Sequence, residues 1–116
     1  MKLPTTFTDL IKEAESLALY NKLVQQLNKD FLLANIELSF EDQVTPSELK
    51  LQLHEMVYTL IQDRFSDYLN LLYIIDVSED QIRALNGDDT VQLSEEVSFL
   101  ILKREWQKVW FKNKYS

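Results

Sequence analysis

The only histidine in the chain opens the segment His54-Glu55-Met56-Val57-Tyr58, which begins like the zinc-protease motif HExxH. Its fifth position is Tyr58, where that chemistry needs a second imidazole one helical turn on, so the motif fails. A di-iron bundle places a glutamate three residues before each histidine, and Leu51 stands there instead. No serine stands in an evident relation to His54, so a nucleophile triad has no support. Asp63 and Asp67 are one turn apart and could share a divalent cation, but no second acidic pair is placed to complete the shell. Asp88 and Asp89 follow Gly87 without the alternating ligands of a calcium loop. With a single glycine there is no phosphate-cradling loop. No metal and no cofactor is expected, and an enzyme is unsupported.

Two features survive this sieve. Arg64 falls near the middle of an apolar helical stripe with Asp67 at its margin, an i, i+3 pair of opposite charge, while His54 lies at the stripe's edge. Together His54, Arg64 and Asp67 define one candidate, a small-ligand-binding or catalytic pocket within a helical bundle. The other feature is the tail. From Lys103 onward both tryptophans and five basic residues meet one acidic residue, a balance of +4 that leaves −11 for the rest of a chain whose net charge is −7. At 100° per residue, Phe99, Leu102, Trp106, Val109 and Trp110 form one stripe, with Arg104, Lys108 and Lys112 opposite. The indoles are expected to face a core and the basic row to face water. Phe111 and Tyr115 exceed what one narrow stripe hides, which marks Arg104, Lys108, Phe111 and Tyr115 as a candidate interaction patch.

These residues must be positioned by helices. The one glycine and two prolines leave few places for tight hairpins. Thr45-Pro46-Ser47-Glu48 is a capping box with proline at the first helical position. Leu49, Leu53, Met56, Val57, Leu60, Ile61, Leu71, Leu72 and Ile75 then recur at helical steps. Ser78 to Gln81 repeats the cap, and Asn86-Gly87 supplies a stop. Ser94, Glu95 and Glu96 place acid at the start of a last helix. Thr6 or Thr8 can cap a first helix carrying Leu10, Ala14, Leu17, Ala18, Val24 and Leu27 on one side. Residues 36–44 alternate like a strand, but a lone strand has no pairing partner, so they read as an extended connection. Leu10, Leu17, Val24 and Phe31 repeat every seven residues beside an asparagine row of Asn21, Asn28 and Asn35, a weak basis for a coiled coil against packing within the monomer.

The expectation is an all-α fold, a compact antiparallel helix bundle of three main helices (8–34, 46–76, 95–113) and a short one (78–86), within a single domain spanning 1–116. A chain of 116 residues can bury roughly two thirds of its unfolded surface. Without cysteine it has no disulfides, thiolate ligands or thiol nucleophile. Leu71 to Ile75 and Phe99 to Leu102, the longest apolar runs, fall far short of the ~20 residues of a bilayer crossing. Charges at Asp9, Lys12 and Glu13 interrupt any secretory signal, so a cytoplasmic location is expected. The leading functional expectation is a protein-interaction or scaffold module acting through exposed helix faces, its partner another protein or a second copy. Nucleic acid and anionic surfaces are disfavoured by a pI near 4.6.

Overall fold

Thr6 begins the first helix by accepting a hydrogen bond from the Asp9 amide at 3.1 Å, satisfying one of the free donors of the opening turn. In the computed structural model, which describes residues 2–115, six helices follow: α1 (Phe7–Ser16), α2 (Tyr20–Leu33), α3 (Pro46–Asp63), α4 (Phe65–Ile75), α5 (Glu79–Arg83) and α6 (Thr90–Tyr115). No strand occurs among the described residues, in keeping with an all-α class.

The expected first helix, 8–34, is two helices. Ala18 adopts a left-handed backbone (φ 57°). The amide of Leu19 donates to Ala14 O at 2.8 Å and that of Ala18 to Glu15 O at 3.0 Å. This is the paired bond pattern of a Schellman ending, which satisfies the last carbonyls and turns the chain. The pattern recurs twice. Asn35 (φ 60°) ends α2 with Ile36 N–H bonded to Phe31 O at 2.9 Å, and Asp76 (φ 69°) ends α4 with Val77 N–H bonded to Leu72 O at 3.0 Å. In each case the residue after the left-handed one is buried beside a buried residue of the last turn: Leu19 with Ala14, Ile36 with Phe31, Val77 with Leu72. Apolar contact across the turn accompanies such endings. Scarce glycine therefore did not limit the number of helix ends. The seven-residue seam fails for the same reason. The turn at Ala18 resets the helical phase, and Leu17 is 48% exposed while Leu10, Val24 and Phe31 are buried.

The expected helix 46–76 is also broken. Thr45 Oγ1 accepts from Glu48 N–H at 3.3 Å as the capping box requires, but Arg64 leaves helical geometry (φ −141°, ψ 57°). Its amide still bonds Leu60 O and its carbonyl accepts from Tyr68 N–H, so one residue ends α3 and starts α4. The last helix begins earlier than Ser94. Asp89 Oδ1 accepts from the amides of Val91 at 3.0 Å and Gln92 at 3.2 Å, capping α6 a full turn ahead of the acidic pair. Ser78 caps α5 through Gln81 N–H at 3.4 Å, and that helix ends at Arg83, short of the expected residue 86.

Residues 36–44 form the extended connection, with Ile36, Phe40 and Val44 buried. Asn28 holds it at both polar atoms of one residue: its Oδ1 accepts from Phe40 N–H at 2.7 Å and its Nδ2 donates to Phe40 O at 2.9 Å. The Tyr20 hydroxyl donates to Val44 O at 2.7 Å. Burial, with the charge of Glu15 adding to it, pushes that phenol up to about 12. One apolar core joins the elements, with Trp106, Phe31 and Ile101 among its largest fully enclosed side chains.

Candidate functional site

His54 leaves α3 toward the first turns of α6. Its Nε2 is 2.8 Å from Ser94 Oγ and 3.3 Å from Val91 O. A carbonyl only accepts, and the Ser94 hydroxyl already donates to Val91 O at 2.8 Å, so Nε2 carries the proton and donates. An imidazole in that tautomer cannot activate Ser94, whose side chain is wholly buried. The pair fastens two helices. His54 also lines a cleft of about 650 Å3 with Phe7, Lys50, Leu53, Phe99 and Leu102. Neither this cleft nor the shallower one beside Tyr58 and Val91 includes Arg64 or Asp67. Those two pair with each other, Arg64 Nε to Asp67 Oδ2 at 2.8 Å, more than a third exposed at the α3–α4 break. The break explains their exposure, because it takes Arg64 off the stripe that an unbroken helix would have buried. The three residues of the expected pocket are thus not brought to one cavity.

The tail divides differently from its helical wheel. Trp106 is fully buried and Trp110 half-buried, as expected for the indoles. Arg104 does not stand free: its Nε donates to Asp76 O at 3.0 Å and its guanidinium reaches Asp76 Oδ2 at 3.2 Å, closing the left-handed end of α4 with positive charge. Lys108 turns inward. Its Nζ is 2.8 Å from Asp30 Oδ2 and 3.1 Å from Glu105 Oε1, the latter off the line of a hydrogen bond. What remains of the patch is aromatic: Phe111 and Tyr115 stack at 5.9 Å and are exposed, Trp110 meets Phe111 edge-on at 5.2 Å, and Lys114 lies 5.3 Å from the Trp110 ring centre.

The cluster around Lys108 is the strongest electrostatic feature of the molecule. Glu105 has no exposed surface, and Asp30 is nearly as enclosed. Burial, reinforced by the Asp30 carboxylate nearby and only partly opposed by Lys108, pushes the Glu105 carboxyl up to about 9, and neither of its oxygens finds a hydrogen-bond partner among the described residues. Despite its burial, Asp30 is held below the ordinary carboxylate range by the neighbouring Glu105, by Lys108, whose Nζ donates at 2.8 Å, and by Gln26, whose Nε2 donates at 3.1 Å. The arrangement at neutral pH is one neutral acid, one carboxylate and one ammonium. Its net charge is zero, the condition under which enclosed ionisable groups are tolerated. Glu105 and Asp30 were not among the candidates from sequence. The signal was present in α6, where Ile101 and Val109, four residues to either side of Glu105, are core residues.

A second unforeseen surface lies on α4. Phe65, Leu69 and Tyr73, four residues apart on one face, are 55%, 51% and 83% exposed. Leu69, Leu72 and Tyr73 continue into a groove of about 710 Å3 also lined by Val77 and Ile82, where Glu79 pairs with Arg83 and Asp76 with Arg104. No group of histidine, cysteine, aspartate or glutamate among the described residues is arranged to hold a metal ion. No helix among them is long and apolar enough to cross a membrane.

Comparison with protein-family models, curated proteins and solved structures gave no match to this chain.

Proposed function

We propose that the protein is an interaction module of one domain that works through exposed helix faces, and that the face used is the Phe65, Leu69 and Tyr73 row of α4. That row carries the reading: beside the polar face of Ser66, Asp67 and Asn70, three large side chains in register left in water mark an association surface. We read the helices as three antiparallel rods, α1 with α2, α3 with α4, and α6, with the α4 row on the outside. The favoured occupant is a second copy. The α4–α5 groove is apolar at Leu69, Leu72, Val77 and Ile82, and the same chain offers a complementary apolar segment in the end of α6, where Phe111 and Tyr115 stand exposed. Aromatic anchors are typical of the energetic centre of such contacts.

Sedimentation equilibrium over micromolar to submillimolar concentration tests this. A dimer is expected for the native chain, and Leu69→Glu or Phe111→Glu should each return it to monomer without a loss of helicity. A native monomer throughout, or a dimer indifferent to both substitutions, would refute the assignment. A second reading, a small-ligand site, is supported by the His54 cleft, whose volume and mixed apolar and polar lining lie within the range of ligand pockets. Nucleic acid is disfavoured further, because Arg104 and Lys108 of the supposed basic row are engaged with Asp76 and with Asp30 and Glu105.

A further inference from the structure

Between α2 and the end of α6 runs a groove of about 320 Å3 lined by Lys22, Gln25, Gln26 and Lys29 on one side and Val109, Lys112 and Asn113 on the other, with Leu19 below. On α2 these positions are i, i+3, i+4 and i+7, and on α6 they are i, i+3 and i+4, so one face of each helix is turned to the same space. Three ammonium groups line it, and no carboxylate does. In a chain of net charge −7 this is a local inversion of sign. Lys22, Lys29 and Lys112 form no ion pair among the described residues. Asp30, the acid next along α2, is turned inward to Lys108 and Gln26 and cannot neutralise them. The helix dipole explains Lys112, which lies in the last turns of α6, but it opposes Lys22, the third residue of α2.

We infer that this groove is a binding site for a small anion carrying clustered phosphate groups. Lysine binds phosphate as a point charge, and three of them over the ~10 Å between positions i and i+7 of a helix match several linked phosphates rather than one carboxylate. Gln25 and Asn113 add amide donors, which phosphate oxygens can accept in greater number than a carboxylate offers. The apolar floor of Leu19 and Val109 excludes water from beneath the anion, which strengthens each contact. The volume suits a ligand of this size and is too small for a docked helix, whose diameter is ~10 Å. The site is independent of the α4 surface, so Leu69→Glu should leave it intact.

Inorganic tripolyphosphate is the probe, titrated into the native chain by calorimetry at low and moderate salt, with citrate as a carboxylate control of high charge. One-to-one saturable binding that weakens as salt rises is expected, with citrate at least tenfold weaker. Lys22→Met, Lys29→Met and Lys112→Met should each weaken binding by about tenfold, the equivalent of one charge-assisted hydrogen bond. Lys12→Met, away from the groove, should not. Because the three groove lysines are exposed and unpaired, the variants should melt at or above the native temperature without ligand. Absence of saturable binding at millimolar probe, equal affinity for citrate, or equal affinity in the three variants would each overturn the assignment.

Discussion

Replacing Glu105 by glutamine tests the electrostatics of the core in a single substitution. The amide keeps the shape of the carboxylic acid, but it cannot lose a proton. In the native chain the carboxyl titrates at about 9 when folded, against an ordinary value of 4.5. The folded state therefore holds a proton that the unfolded chain has released between those limits. A raised folded value means that the contribution to stability is complete below about 4.5 and is lost as pH rises through about 9. The loss proceeds at about 1.4 kcal/mol per pH unit, so from pH 5 to pH 8 it sums to about 4 kcal/mol. Full enclosure of the side chain leaves no screening by solvent to reduce this. Against a typical domain stability of roughly 5–15 kcal/mol the effect is large. Urea unfolding followed by tryptophan fluorescence at several pH values measures it. Near pH 5 the native and Glu105→Gln proteins should be about equally stable, and by pH 8 the variant should lead by about 4 kcal/mol. Groups common to both proteins cancel in the comparison. Parallel stability curves from pH 5 to pH 8, or a variant weaker at pH 8, would refute the claim that Glu105 is neutral in the fold.

Three further outcomes follow from the same structure. Lys108→Met leaves Asp30 enclosed without its cation and should cost about 3 kcal/mol at pH 7 by chemical unfolding, because breaking a buried pair exposes the full desolvation penalty of the survivor. Ala18→Gly relieves a left-handed alanine, and the relief of about 1–2 kcal/mol exceeds the added freedom of the unfolded chain, so the melting temperature should rise by a few degrees. Asp89→Ala removes the acceptor for two opening amides of α6 and should cost about 1 kcal/mol, with faster hydrogen exchange at Val91 and Gln92.

Local chemistry was readable in the sequence where the determinants are neighbours. The Thr45-Pro46 start, the Ser78 cap and the stripe that buries Trp106 depend on residues within a turn or two of one another, while the segment 36–44 is also held from α2 by Asn28 and Tyr20. The helix break at Ala18 is not readable, because alanine is the best helix former and only the gain from burying Leu19 after the turn outweighs that preference. Arg64 misled for a related reason: assuming an unbroken helix placed it in an apolar stripe, whereas the break moves it to the edge. The wheel of α6 alone places Lys108 toward water, because it cannot show that Asp30, on another helix, offers it an enclosed partner. The Glu105 position was readable in principle, as a lone acid between core residues, while the lysine groove was not, since it exists only when α2 and α6 lie side by side.

Three helices of this chain finish on alanine, asparagine and aspartate in a conformation that most proteins assign to glycine. The side chains so retained limit how far the denatured polypeptide can wander, so each corner concedes some torsional comfort in the native state in return for a narrower set of alternatives. A molecule built this way reverses direction sharply while remaining stiff in its backbone, and homogenising its corners to glycine would trade local ease for a looser chain.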